Sequence, residues 1–273
     1  MLVDRGRISR LVRRVYPRVD ESDIRVRMIG GLLSSVYLVE FPTTGEEPIV
    51  VKRFRDIRGP VKWIPVSMWT IGARRFAMNG EARLERQRKM SKFLRERGFP
   101  VPKILLVSLK DMVLFMEYVR GEKAAVILSR IIERGRALKG ERAIVGRIGQ
   151  RLGLAHKIGV AIGDTKDDNI IVTREGETYF VDLEQATRDR IDAIWDVAEF
   201  VYYAGHHVLH QPLEGMDEIV REFLAGYLEG GGDRGVVEKL TDLRYVYAFT
   251  ASTLPHVLYH ISNVCKEFAA KHV

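Results

Sequence analysis

Short runs of alternating apolar and polar residues occupy the N-terminal part of the chain, and apolar residues recur at helical spacing after it. Residues 28–39 place Gly-Gly and Ser-Ser between two alternating segments, residues 48–54 are a β-branched run, and 103–107 and 112–118 flank a polar Lys-Asp pair. Period-two alternation interrupted by such pairs predicts strands joined by turns. From Glu122 onward the spacing predicts mainly helices. The pattern therefore predicts an α+β fold, with a sheet first and a largely helical region second.

Two segments of the N-terminal part have helical spacing. Residues 7–16 carry apolar residues on one face and arginines on the others, which predicts a basic amphipathic helix. This helix either packs with a solvated arginine face or uses the arginines to contact nucleic acid or a membrane. Residues 81–97 predict a highly charged helix. Residues 56–80, with Trp63 and Trp69, predict an insertion that forms a satellite core under a loop, covers a binding cleft or provides a partner surface.

Composition and charge place the chain among globular proteins with a basic surface. Its 273 residues are 46% hydrophobic and 29% charged, and no apolar run reaches the length of a membrane span. The first residues lack the apolar core of a signal peptide, so we expect a cytoplasmic location. The net charge of +8 suits ATP, RNA, anionic lipid or acidic proteins without choosing among them. An excess of arginine with few Asn, Gln and Cys is compatible with a thermophilic source.

The residues with the clearest chemical meaning lie in the segment 163–169 and at Asp182. Asp164 is followed by Lys166 and Asn169, and Asp182 comes after two short apolar segments separated by a polar turn. A β-hairpin there would place Asn169 and Asp182 side by side, as two ligands of one metal must be. A carboxylate that receives a hydroxyl proton, a cation and two metal ligands suffice for phosphoryl transfer, which needs positioning and charge neutralisation. The alternative is a solvated acidic loop followed by an ordinary hairpin.

Several other segments fit the same pattern in the same order, and together they resemble the protein-kinase-like superfamily in its small atypical branches. The chain is similar to RIO kinases, to the KEOPS-complex kinase and to the Kdo/lipopolysaccharide kinase family from about residue 28 to 205. The matching parts are the Gly-rich turn, Val51-Lys52, Phe99-Pro100-Val101-Pro102, Met116-Glu117-Tyr118, His156-Lys157-Ile158-Gly159, the loop 164–169 and Val181-Asp182-Leu183-Glu184.

The resemblance implies a two-lobed fold, with an antiparallel sheet and a helix in the first lobe. The expected organisation is a basic helical extension over 1–27, an N-lobe over 28–116 that contains the 56–80 insertion, a hinge over 117–121 and a mainly helical C-lobe over 122–273. ATP and Mg²⁺ or Mn²⁺ would bind between the lobes.

The resemblance also implies roles for individual residues. Asp164 and Lys166 would be catalytic, and Asn169 and Asp182 would bind the metal. Asp196 would brace the catalytic loop. Lys52 would contact the phosphates, and Glu85 would position Lys52. The Gly-rich turn would cover the phosphates with Gly30, Gly31, Ser34 and Ser35. The hinge and its gatekeeper would bind the adenine through Met116, Glu117 and Val119.

The chain departs from typical protein kinases in ways that bear on its activity. Leu183-Glu184 follows the metal-binding Asp182, and Gly163 stands where an arginine usually precedes the catalytic Asp. No Ala-Pro-Glu segment is present, so the platform for peptide substrates is missing. The offset often used for the glutamate that holds Lys52 carries Gln87, which leaves Glu81 and Glu85 as candidates; we favour Glu85.

These features predict an ATP- and Mg²⁺-dependent phosphotransferase that acts on a hydroxyl of protein Ser/Thr or of a small molecule. The alternative is an ATP-binding regulatory subunit of a larger complex with weak or no turnover, possibly associated with RNA through the N-terminal arginines. A protein partner is therefore expected as one possibility. His206, His207 and His210 lie close in sequence, but no carboxylate or cysteine completes a metal site at a useful spacing, so we expect a helical surface or core role for them.

Overall fold

The structure is a computed structural model that describes residues 2–30, 34–55, 77, 79–188 and 192–272. The chain divides into two compact units, one made by residues up to 55 together with 77–119, and the other by residues from 120 onward. Gly31 and both tryptophans of the 56–80 insertion lie outside the described residues. The mixture of a sheet and helices confirms the α+β class expected from the sequence.

The first unit is built on a five-stranded antiparallel sheet. Its strands are β1 (Arg25–Gly30), β2 (Ser34–Glu40), β3 (Ile49–Phe54), β4 (Ile104–Ser108) and β5 (Val113–Glu117), in the order β1-β2-β3-β5-β4. The central strand β3 places Lys52 opposite Val36 on one side and Leu114 on the other.

A helix covers each face of this sheet. Helix α1 (Leu2–Val15) buries Ile8, Leu11 and Val12 in one core cluster with residues of β2, β3 and β5. Its arginines Arg10, Arg13 and Arg14 are exposed, so the apolar face of the helix packs on the sheet and its basic face is open to solvent. The amphipathic helix predicted over 7–16 is confirmed for residues 7–15.

Helix α2 (Gly80–Arg95) lies on the other face. The Asn79 side chain caps its start by accepting hydrogen bonds from two backbone N–H groups of the first turn, at 2.8 and 3.2 Å. Leu84 of this helix packs in a core cluster with Phe54, Leu114 and Met116. The face of β3 that carries Lys52 is therefore the face covered by α2, since alternate residues of a strand point the same way.

The second unit is mainly helical. Its described helices are α3 (Ala124–Arg134), α4 (Lys139–Lys157), α5 (Asp192–Tyr203), α6 (Glu214–Glu229), α7 (Arg234–Glu238), α8 (Leu243–Tyr247) and α9 (Pro255–His272). A small sheet of β6 (Glu122–Lys123), β7 (Ile170–Val172) and β8 (Thr178–Phe180) accompanies them. Among the described helices, none combines the length and the apolar character that crossing a membrane requires.

Helices α4 and α6 approach each other through glycines. A Cβ atom on Gly149 would lie 2.0 Å from the carbonyl oxygen of Phe223, and one on Gly226 would lie 1.9 Å from that of Gly146. No side chain fits at such distances, so the two backbones are in direct contact. This glycine seam fixes α4, which leads into the loop 163–169, against the helical core.

Candidate active site

The loop 163–169 brings Asp164 and Lys166 together. The Lys166 ammonium nitrogen lies 2.9 Å from Oδ1 of Asp164. The loop begins at Gly163, whose φ of 88° lies in the left-handed region that side chains disfavour. This backbone conformation explains why glycine occupies the position.

The buried carboxylate of Asp196, on α5, holds the start of the loop. Its oxygens accept hydrogen bonds from the backbone N–H groups of Ile162 and Gly163 at 2.5 and 2.7 Å, and its own carbonyl accepts one from the Thr165 hydroxyl at 2.7 Å. A carboxylate with two backbone donors is a strong fixed anchor. The brace that the sequence resemblance implied for Asp196 has this geometry.

His156, near the end of α4, extends the brace. One ring nitrogen lies 3.0 Å from Asp196 Oδ2, and the other lies 2.9 Å from the Tyr227 hydroxyl on α6. Because the carboxylate can only accept while the phenol can donate, a neutral His156 satisfies both contacts. The loop is thus connected through Asp196 and His156 to the helices that meet at the glycine seam.

Glu199 is a second buried carboxylate beneath the loop, and the sequence analysis did not identify it. Its Oε2 accepts hydrogen bonds from the Thr165 N–H at 2.7 Å and the Thr165 hydroxyl at 3.2 Å, and its Oε1 lies 3.8 Å from the Lys166 ammonium. Its place one helical turn after Asp196 is the sequence signal that could have revealed it, because residues three apart share a helix face.

Burial and charge act in opposite directions on these groups. Burial raises the pKa of Glu199, and the neighbouring Asp164 carboxylate raises it further, although the Lys166 ammonium acts against both. Burial alone would lower the pKa of Lys166, but the charges of Asp164 and Glu199 outweigh it and raise that pKa above its usual range. The Lys166 side chain is therefore a permanent cation at physiological pH.

The hairpin formed by β7 and β8 places Asn169 and Asp182 at the same end, as the sequence predicted. Ile170 pairs with Phe180, and the carbonyl of Asn169 accepts a hydrogen bond from the N–H of Val181 at 3.0 Å. The Asn169 amide N–H₂ donates to the Asp164 carbonyl at 3.3 Å, which directs its nitrogen toward the loop. Its amide oxygen and the Asp182 carboxylate are hard oxygen donors of the type that Mg²⁺ and Mn²⁺ prefer, so the residues present fit such an ion.

In the sheet unit, Lys52 and Ser34 lie on the face of the sheet that α2 covers, whereas Ser35 points to the opposite face. The Lys52 ammonium lies 5.3 Å from the centre of the Phe54 ring, and Lys52 is only 3% exposed. Ser34 and Ser35 are buried at the start of β2, and the Ser34 hydroxyl accepts a hydrogen bond from Arg83 at 3.2 Å. Gly30 ends β1. Gly31, as stated above, is not among the described residues.

Helix α2 presents a different set of residues from the one expected. Glu85 forms an ion pair with Arg88 at 2.9 Å and lies 3.9 Å from Lys89, on the partly exposed side of the helix. The buried side carries Arg83 and Gln87 instead. The described contacts of Glu85 are therefore with residues of its own helix. The fully buried Arg83 lies on the face of α2 that packs on the sheet.

The hinge candidates lie at the end of the first unit. Met116 is buried in β5, and the backbone N–H of Glu117 donates to the Lys103 carbonyl at 2.9 Å. The Glu117 side chain lies 3.5 Å from Arg95. Val119 is partly buried. The backbone N–H of Glu117 is therefore already used within the sheet unit.

Comparison with known proteins finds a relative that matches more than half of the chain. The chain is 29% identical over 171 residues to the KEOPS complex subunit Bud32 of Pyrococcus abyssi, a match that covers 60% of this chain and 69% of that protein. No family model matches the chain. Bud32 is an atypical protein-kinase-like protein, so the resemblance and the two-lobed kinase-like fold class predicted from the sequence are confirmed. At this level the comparison supports an atypical kinase or a regulatory subunit of kinase type.

Proposed function

We propose that the chain is an ATP-dependent phosphotransferase that moves the γ-phosphoryl group to a hydroxyl acceptor. The observation that carries the proposal is the Asp164–Lys166 pair at 2.9 Å, on a loop whose backbone is fixed by two buried carboxylates and followed by Asn169 and Asp182. Fixed charges of this kind can stabilise a transition state without reorganising during the reaction.

In this proposal Asp164 orients the acceptor hydroxyl and takes its proton. The acceptor oxygen then forms a bond to the γ-phosphorus as the bond from that phosphorus to the ADP oxygen breaks. Lys166 holds Asp164 in place and offers its positive charge to the transferred phosphoryl group. Its raised pKa keeps this charge through neutral pH.

Asn169 and Asp182 would hold Mg²⁺ or Mn²⁺, which neutralises the phosphate oxygens when ATP is bound. Lys52 would contact the α- and β-phosphates, and the Gly-rich turn with Ser34 and Ser35 would cover them. Met116, Glu117 and Val119 are proposed to lie beside the adenine. The partner of Lys52 is proposed to be a glutamate of α2; since Glu85 pairs with Arg88, this contact requires Glu85 to change partner when nucleotide binds.

The acceptor is proposed to be protein Ser/Thr or a small hydroxylated molecule. The missing Ala-Pro-Glu segment argues against ordinary peptide docking. A second candidate function is an ATP-binding regulatory subunit with little turnover. It is favoured by the relative, which is named as a subunit of a complex, and by the Leu183-Glu184 that follows Asp182.

The proposal is tested by measuring phosphate transfer from γ-labelled ATP with the purified chain, alone and with candidate partner proteins. Wild type should show metal-dependent transfer or ATP hydrolysis, and Asp164→Asn should reduce transfer by about 10²–10⁴-fold. The matched control is Asp168→Asn, because Asp168 is an exposed neighbour whose carboxylate lies 2.8 Å from Lys123. ATP binding without turnover under every condition would favour the regulatory subunit, and no binding at all would refute both functions.

A further inference from the structure

Asp167, His206 and His207 form a cluster of potential metal ligands behind the loop. One ligand atom from each residue lies within 4.8 Å of the other two. The closest pair is Oδ2 of Asp167 and Nε2 of His207, at 2.7 Å. The fold thus supplies from the loop the carboxylate that the spacing of the histidines alone did not offer.

The Asp167 carboxylate is buried, and one of its two oxygens lacks a hydrogen-bond donor among the described residues. The residue is 1% exposed, and its Oδ1 has no hydrogen-bond partner within the part of the chain that the structure describes. A buried carboxylate oxygen without a donor is costly, and such oxygens in proteins are usually satisfied by a paired charge, a water molecule or an ion. This oxygen is the observation, separate from the clustering itself, that points to a cation.

His206 is prepared for coordination by its hydrogen bond. Its Nδ1 lies 2.6 Å from the carbonyl oxygen of Tyr203. Because a carbonyl can only accept, Nδ1 carries a proton, and Nε2 is then the nitrogen of the neutral ring that can bind a metal. A backbone carbonyl that fixes the tautomer in this way is a common outer-shell partner of metal-binding histidines.

We propose that Asp167, His206 and His207 bind a divalent transition-metal ion of the zinc class, at a site separate from the Mg²⁺ or Mn²⁺ ligands. Two imidazole nitrogens and one carboxylate oxygen are a donor set that suits Zn²⁺ and Co²⁺ better than Mg²⁺. Three protein ligands leave one position of a tetrahedral ion for water. Both histidines are partly exposed, which gives the ion a path from solvent.

The site would connect the loop to the end of helix α5. Asp167 lies three residues after Asp164 and two before Asn169, whereas the histidines follow α5 in the turn 204–207. A bound ion would add to the His207–Asp167 contact a second link between the loop and the turn 204–207. The inference does not depend on the proposed phosphotransferase activity.

The rival explanation is a proton. A protonated His207 would form an ion pair with Asp167 at the same 2.7 Å and would need no metal. A metal displaces that proton, because the imidazole must be neutral to coordinate. The two explanations therefore differ in metal affinity, and a titration can separate them.

The test is a titration of the chain, first stripped of metal with a chelator, with Zn²⁺ in competition with a chromophoric indicator. Co²⁺ absorption provides a second readout of imidazole coordination. We expect one ion per chain, and His206→Gln and His207→Gln should each weaken binding by more than about tenfold. The matched control is His210→Gln, because His210 is exposed and stands three residues from His207.

Two results would overturn the site. One is wild-type protein that binds no stoichiometric Zn²⁺, which would leave the protonated pair as the explanation. The other is loss of binding in His210→Gln equal to that in His207→Gln, which would place the metal in the neighbouring histidine-lined groove with His256 and His260. Asp167→Asn should lose affinity as well; if it fails to fold, the two histidine variants decide.

Discussion

The ammonium nitrogen of Lys166 lies 2.9 Å from Oδ1 of Asp164 and 3.8 Å from Oε1 of Glu199, so one cation lies near two carboxyl groups at different depths. Glu199 is 2% exposed, whereas the Asp164 side chain is 22% exposed. The accessible carboxylate can meet a substrate, while the buried one can only position the loop. Changes at Asp164 should therefore affect phosphate transfer, and changes at Glu199 should affect stability.

Asp164→Asn should reduce phosphate transfer by about 10²–10⁴-fold while nucleotide binding persists. Asparagine preserves the shape of the side chain but cannot take the acceptor proton, and general-base catalysis contributes about that factor. The measurement is kcat with labelled ATP beside a binding assay. Asp168→Asn should transfer at nearly the wild-type rate, since the exposed pair of Asp168 with Lys123 contributes little. Wild-type activity in Asp164→Asn would mean that the catalytic loop is wrongly assigned.

Asp182→Ala should lose metal-supported ATP binding. Asp182 is proposed to bind the metal ion already in the ATP complex, before phosphate transfer begins, so its removal should weaken ATP binding itself. The measurement is the thermal stabilisation that millimolar ATP gives with and without Mg²⁺, because a ligand that prefers the folded state raises its stability. Asp164→Asn serves as the control and should keep the shift. A full Mg²⁺-dependent shift in Asp182→Ala would exclude the residue as a metal ligand.

Glu199→Gln should flatten the pH dependence of unfolding between about pH 4.5 and 8. Burial raises the pKa of Glu199 from 4.5 to about 8, so over this range the folded wild type binds a proton that the unfolded chain does not. Stability from this group is then complete below pH 4.5 and is lost as the pH rises toward 8. A single group changes the free energy of unfolding by at most about 1.4 kcal/mol per pH unit.

Urea unfolding at several pH values measures that slope. Glutamine keeps an acceptor for the Thr165 N–H but cannot ionise, so the variant should become relatively more stable than wild type as the pH rises. Glu177→Gln is the control, because Glu177 is exposed and pairs with Arg151 at the surface. Parallel slopes for wild type and Glu199→Gln would show that Glu199 ionises normally in the folded protein.

Gly149→Ala should destabilise the helical unit by about 2–3 kcal/mol or more, because the added methyl would collide with backbone atoms of α6. Gly140→Ala, on the same helix α4, has open space around the new methyl and should be neutral or stabilising by up to about 1 kcal/mol. Chemical denaturation of the pair measures the difference. Equal effects of the two substitutions would mean that the glycine seam is not a close contact.

The sheet and the hairpin at the site were accessible from the sequence because both depend on local patterns. The alternation around Lys52 predicts a strand, and the segment between Asn169 and Asp182 contains two apolar runs and one polar turn. Neighbouring residues decide such elements, so a single chain suffices to predict them. The bracing by Asp196 came only from the family resemblance, since nothing in its immediate sequence predicts a contact with residues 162 and 163.

The remaining features depend on contacts between residues far apart in the chain. Asp167 meets His207 only after α5 has folded, and the spacing of the histidines gives no sign of a carboxylate 40 residues earlier. The position of Glu85 in the sequence suggests an ion pair with Lys52, but in the structure Glu85 pairs with Arg88, one turn along its own helix. Short-range pairing within α2 thus prevails over the expected long-range pair in this structure.

Helix α1 sets an order of events during synthesis of the chain. Ile8, Leu11 and Val12 are made early, but their core cluster includes Val113 and Phe115 of β5, which are made much later. Until those residues leave the ribosome, the apolar face of the nascent helix has only part of its final surroundings and is open to chaperones or to other nascent chains. Premature termination within α2 should therefore yield a fragment that aggregates, whereas a fragment that extends through β5 contains every residue of this cluster.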